Sequence, residues 1–142
     1  MLSRLKKFLG LPSAAEENSG ARGEAAAAEF LQREQAFSIV ARNWRNPRDL
    51  REEIDLVARD GEVLVFVEVK TRAAAALVSG FHSVNARKKA VLRRAATAYL
   101  RTLQHPPVTF RLDVVEVVFA PGGAADVRHF ANVRLFPKYF QP

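Results

Sequence analysis

The sequence predicts an α/β domain with a mixed central β-sheet. Three observations carry that expectation. Two segments rich in Val, Ile, Leu and Phe, residues 54–58 and 63–69, flank Asp60-Gly61, a two-residue hairpin signal. Stretches with helical spacing at 20–35 and 83–103 bracket that hairpin. Further strand-like segments lie at 37–44 and 108–119. The order helix, strand, hairpin, helix, strand is that of a mixed sheet flanked by helices.

Taken in order, the chain opens with Leu2, Leu5, Phe8 and Leu9 among Arg4, Lys6 and Lys7. This is either a basic amphipathic segment for a surface or partner, or a loosely held extension. Residues 12–20 read as a linker, so 1–19 is expected as a flexible extension and 20–142 as a single domain. The helix at 20–35 places Glu24, Ala28 and Leu31 on one face, with Glu24 near its start, where the helix dipole tolerates a carboxylate. After the strand at 37–44, Asn46-Pro47 is a break and the stretch to Glu52 is expected as a loop. Residues 73–80, mostly small, read as a flexible connection across the site. The helix at 83–103 has Ser83 or Asn85 as its cap and stops at His105-Pro106-Pro107. Pro121-Gly122-Gly123 is a turn, and 127–136 forms a last edge strand or a short helix.

The hairpin carries the chemistry. With Asp60-Gly61 as its loop, Ala58 faces Val63 and Asp55 faces Phe66. Glu53, Asp55, Phe66, Glu68 and Lys70 then share one side of the sheet. Ionised groups in apolar strands need a partner. Three clustered carboxylates repel, and a divalent cation with hard oxygen ligands, Mg2+ or Mn2+, is the natural further party. The alternative is a self-satisfied ion-pair network, costly to desolvate. On the second helix Lys88 falls on the stripe of Val84, Val91, Ala95 and Tyr99. It either snorkels past the helix edge or reaches the acidic patch or a phosphate. Arg87, Arg94 and Arg101 repeat by sevens as an outer basic stripe, suited to phosphates or to solvent.

The 142 residues suffice for one core, and the net charge of +7 favours an anionic partner. With no cysteine there are no disulfides or thiolate metal sites. His82, His105 and His129 are scattered without ligand spacing, and no glycine loop cradles a phosphate. No apolar run reaches the ~18 residues of a membrane span.

The ordered motifs resemble the bacterial YraN-type proteins, which are similar to archaeal Holliday-junction resolvases within the PD-(D/E)xK nuclease superfamily. The resemblance rests on Gly23-Glu24, Ala41-Arg42-Asn43, Glu53-Ile54-Asp55-Leu56, and Phe66-Val67-Glu68-Val69-Lys70-Thr71-Arg72. It continues through Ser83-Val84 with Lys88 and Leu92, then Arg111-Leu112-Asp113-Val114-Val115. It implies a restriction-endonuclease-like α/β fold and a metal-dependent endonuclease acting on DNA, with branched DNA among its candidate substrates. Asp55 and Glu68 would ligate Mg2+ or Mn2+. Lys70 would orient or activate the attacking water or stabilise phosphate charge, Glu24 would be an auxiliary acid, and Lys88 a helix-borne base near the scissile phosphate. Arg72, Arg87, Arg94 and Arg101 would contact nucleic acid. The implied setting is cytoplasmic, with a homodimer suiting a two-stranded branched substrate. The chain departs from the pattern at Glu52, where the family has Gly, in the stretch 46–51, and at Gln35-Ala36. Glu53 stays open as extra ligand, outer support or rim charge. A nucleic-acid-binding module that keeps the fold without turnover is the alternative reading.

Overall fold

The computed structural model describes residues 14–73 and 84–142, with side chains from residue 18 onward. The amphipathic segment at 1–11, the connection at 74–80, His82 and Ser83 lie outside the described residues. The elements are α1 (Ala14–Arg33), β1 (Ser38–Asn46), β2 (Asp49–Asp60), β3 (Val63–Ala73), α2 (Ala86–Thr102), β4 (Phe110–Phe119) and β5 (Ala125–Val133). The strands form one sheet in sequence order. All neighbours are antiparallel except β3 and β4, which are parallel and joined through α2. This is the mixed sheet with flanking helices expected from the sequence.

Two boundaries differ from the sequence reading, and one open alternative is settled. Helix α1 begins at Ala14, inside the stretch expected as linker, because Ala14-Ala15-Glu16-Glu17 are good helix formers. The loop expected at 46–52 is a tight turn at Pro47-Arg48, since Asn46 already faces Asp49. Local side-chain acceptors shape that turn: Asn46 Oδ1 takes the Arg48 N–H at 3.1 Å, and Asp49 Oδ1 takes that of Arg51 at 3.2 Å. The segment after the Pro121 turn resolves as a strand, β5, rather than a helix.

The β2–β3 hairpin closes through Gly61-Glu62, because Asp60 faces Val63. Gly61 carries a φ of 58°, a left-handed conformation that favours glycine. Asp60 therefore belongs to the strand, and the register is shifted by two from the Asp60-Gly61 reading. Phe66 faces Val57 rather than Asp55. An even shift keeps parity, and Asp55, Glu68 and Lys70 line one cleft as expected, although alternation along β2 is irregular. Ile54 and Val57, three residues apart, both pack in the core under α2 with Phe66, Leu92 and Tyr99. Leu56 and Ala58 pack in the core under α1 with Ala27, Ala28 and Leu31. Strict alternation is broken at Asp55, between the two layers.

Candidate functional site

The site forms where that break occurs. The β2–β3 ladder runs from Asp60↔Val63 to Leu56↔Val67. One residue further, a side chain takes over as acceptor: Asp55 Oδ2 receives the Val69 N–H at 2.8 Å. That bond holds the Asp55 carboxylate at the edge of β3, beside Glu68. Burial, then the charge of Glu68, push the Asp55 carboxyl up to about 8. Glu24 adds to the rise, while the Val69 N–H and Lys88 oppose it.

Glu68 is 3% exposed. Its Oε1 lies 3.2 Å from Lys70 Nζ and 3.4 Å from Lys88 Nζ. Its Oε2 is buried and has no hydrogen-bond partner among the described residues. An unmet buried carboxylate oxygen is expensive, and a cation is one partner that would satisfy it.

Glu24 arrives from α1. Gly23, just before it, is buried and packs so closely on Thr71 that a Cβ there would overlap Thr71 Oγ1 and lie 2.9 Å from Thr71 Cβ. This close approach brings α1 onto β3 and seats Glu24 in the cleft. Burial raises the Glu24 carboxyl, a side-chain hydrogen bond with Asn43 partly offsets that, and Glu53 and Glu68 raise it further. Asn43 sits on β1 with a φ of 49°, one of few non-glycine residues in the left-handed region. The sequence reading gave Asn43 no role. Its place beside Arg42 in the quoted motif was the only signal.

A cleft of about 370 Å³ collects Ser19, Gly20, Glu24, Asp55, Glu68, Val69, Lys70 and Thr71. Lys88 enters from α2, whose N-terminus is capped by Asn85 accepting from the Lys88 N–H at 2.9 Å. Its side chain therefore reaches the acidic patch rather than snorkelling away. Glu53 pairs with Arg45 at 3.0 Å and acts on Glu24 through charge, as a rim residue. Among the described residues no group of three or more His, Asp or Glu side chains is arranged to hold a metal ion. Two carboxylates nevertheless fit Mg2+ or Mn2+ chemistry, because Mg2+ commonly takes one or two carboxylates and completes its shell with water and phosphate.

The other basic candidates lie elsewhere. Arg72 continues β3 and is half-buried. Arg94 Nε pairs with Glu52 Oε1 at 2.9 Å, and Asn46 Nδ2 donates to Glu52 Oε2 at 2.8 Å. Glu52, a departure from the family pattern, is thus buried and satisfied. Arg94 and Arg101 line a separate cleft of about 550 Å³, and Arg87 and Arg94 a smaller one of about 300 Å³. His129 belongs to a structural network: its Nε2 is 2.8 Å from Asp113 Oδ2, and Arg111 Nε donates to Asp113 Oδ1 at 2.8 Å.

The protein is thus an α/β domain whose acidic cleft, edged by two lysines, opens at the split between β2 and β3. Residues 23–117 match the profile of the uncharacterised protein family UPF0102, and the chain belongs to that family, the YraN-type group its motifs resemble. It is 44% identical over 119 residues to a UPF0102 protein of Beutenbergia cavernae, covering 84% of this chain and 98% of the relative. A UPF0102 protein of Parafrankia sp. is 46% identical over 110 residues, 78% of this chain and 90% of the relative. One of Symbiobacterium thermophilum is 45% identical over 113 residues, 80% and 92%. The matched span contains Glu24, Asp55, Glu68, Lys70 and Lys88. Among the described residues no helix is long and apolar enough to cross a membrane.

Proposed function

We propose that this protein is a metal-dependent endonuclease that hydrolyses phosphodiester bonds in DNA. The observation that carries the proposal is the buried Oε2 of Glu68, without a partner among the described residues, beside an Asp55 carboxyl held up to about 8. Both groups gain from a cation placed between them. Asp55 and Glu68 would hold Mg2+ or Mn2+, and Glu24 would support its shell from α1. A divalent ion bound there supplies charge neutralisation at the phosphate and acidifies water for attack. Lys70, on the same strand face as Glu68, would orient a nucleophilic water or steady the developing negative charge. Lys88 brings a second ammonium from α2 toward the phosphate. DNA as substrate implies a cytoplasmic protein, and branched DNA would suit a homodimer.

One observation favours the alternative, a DNA-binding module without turnover. Lys70 and Lys88 already approach the same oxygen of Glu68, which partly neutralises the site without metal. Cleavage of a labelled panel (linear duplex, single strand, flap, four-way junction) with Mg2+ or Mn2+ separates the two. The endonuclease reading predicts metal-dependent cutting that is lost in Glu68→Ala and Lys70→Ala. Binding that persists in all three proteins without any cutting would support the module instead.

A further inference from the structure

The cleft of about 550 Å³ lies between α2 and the β1–β2 hairpin, apart from the acidic site, and is lined by Trp44, Arg48, Arg93, Arg94, Arg101 and Phe140 among others. We infer that this cleft takes one unpaired base of a DNA strand whose backbone runs along α2 to the acidic cleft. This rests on the endonuclease reading for the identity of the strand and narrows its substrate to DNA with an unpaired segment beside the cutting point.

Both aromatic walls are braced from behind. Trp44 stands edge-to-face on buried Tyr99, with ring centroids 5.3 Å apart. Phe140 packs on Phe136 at 4.7 Å and on Phe110 at 6.2 Å. The cations are fixed as well. Arg93 Nε donates to the Leu135 carbonyl at 3.0 Å, and Arg94 Nε is held by Glu52. Rigid aromatic surfaces bind bases with little sequence preference, and arginines beside them hold the phosphates. The volume falls in the range of small-ligand sites and has room for a base.

Helix α2 relates this cleft to the acidic one. Glu52 and Arg94 also line the smaller cleft that extends to Arg87 and Val91. Arg87 precedes Lys88, whose Nζ is 3.4 Å from Glu68. Arg94 lies six positions after Lys88 on α2, roughly 9 Å along the axis.

Trp44 is the only tryptophan of the chain, so its fluorescence reports on this cleft. The test uses the full-length protein in EDTA with three DNAs: a blunt duplex, the same duplex with a single-stranded tail, and that tail made abasic. Anisotropy gives affinity, and Trp44 emission gives stacking. The natural tail is expected to quench Trp44 and to bind about tenfold tighter than the blunt duplex, within the range for one stacked base. The abasic tail and the Phe140→Ala variant are expected to lose both effects. Arg101→Ala, at an exposed residue, is expected to weaken tail binding and flatten its salt dependence. Equal binding of blunt and tailed DNA, or an abasic tail that binds and quenches like the natural one, would overturn this inference alone. Binding to none of the three would overturn it together with the endonuclease reading. Tail-specific binding without cutting once Mg2+ is added would overturn only catalysis and leave this inference standing.

Discussion

Replacing Gly23 with alanine tests how α1 is seated over the site. Two effects oppose each other. In a helix interior alanine is favoured over glycine by roughly 1 kcal/mol. Here, however, the new Cβ would overlap Thr71 Oγ1 and lie 2.9 Å and 3.1 Å from Thr71 Cβ and Cγ2. Thr71 Cβ is tied to the β3 backbone, so the chains must separate. Overpacking of this kind costs about 1–3 kcal/mol. Gly20, in the same helix, meets no described atom within 4 Å of an added Cβ, so Gly20→Ala carries the propensity gain alone. The two variants should differ by about 1–3 kcal/mol, or roughly 2–10 °C in Tm for a chain of this size. Paired thermal denaturation reads that difference. Thr71→Ala should recover part of it in the double variant, since it removes Oγ1 and Cγ2. The displaced helix should also weaken Mn2+ affinity by drawing Glu24 away from the cleft. Gly23→Ala and Gly20→Ala with equal Tm would refute the close approach as the device that seats Glu24.

Three further expectations follow from the same geometry. The Asp55 carboxyl is raised in the folded chain, so its contribution to stability is fully present below the ordinary carboxylate pKa. That contribution is lost as pH rises through about 8. Metal-free Tm should therefore fall over that window, Glu68→Gln should flatten the fall, and added Mg2+ should raise Tm more at high pH than at low pH. Asn43→Ala should destabilise by about 1–2 kcal/mol more than Asn43→Gly, because alanine resists the left-handed backbone. Both variants should raise the Glu24 titration midpoint, read by carboxyl NMR, since both lose the Asn43 bond. Burial of Asp113 opposes its ionisation, but His129, Arg111 and the Asn132 N–H together hold its carboxyl below the usual range. Its stabilisation is present above that range and is lost as pH falls. Asp113→Ala should cost about 1–3 kcal/mol by leaving the Asn132 N–H and His129 without their acceptor, while Arg111 keeps Asp60, measured by urea denaturation.

The residue types and the parity of the hairpin carried much of the site. Asp55, Glu68 and Lys70 were readable because charged residues in Val- and Ile-rich strands demand an explanation. Lys88 was readable because it interrupts an apolar helical stripe. What local pattern could not carry was the break in alternation at Asp55. That break depends on how α1 and α2 pull β2 between two core layers. The pairing of Glu52 with Arg94, 42 residues away, is likewise tertiary, as is the left-handed backbone that aims Asn43 at Glu24. The outer arginine stripe suited phosphates or solvent alike; the fold gives Arg94 and Arg101 to the aromatic cleft and brings Lys70 and Lys88 to Glu68.

The central claim is that Asp55 and Glu68 together hold a divalent cation. Titration of Mn2+ into the metal-free protein, followed by EPR above and below the Asp55 midpoint of about 8, addresses it most directly. The account predicts one bound ion, weaker binding at the lower pH, where a proton competes for Asp55, and loss of binding in Glu68→Gln. Binding unchanged in Glu68→Gln, or no binding in the wild type at either pH even with DNA present, would contradict it.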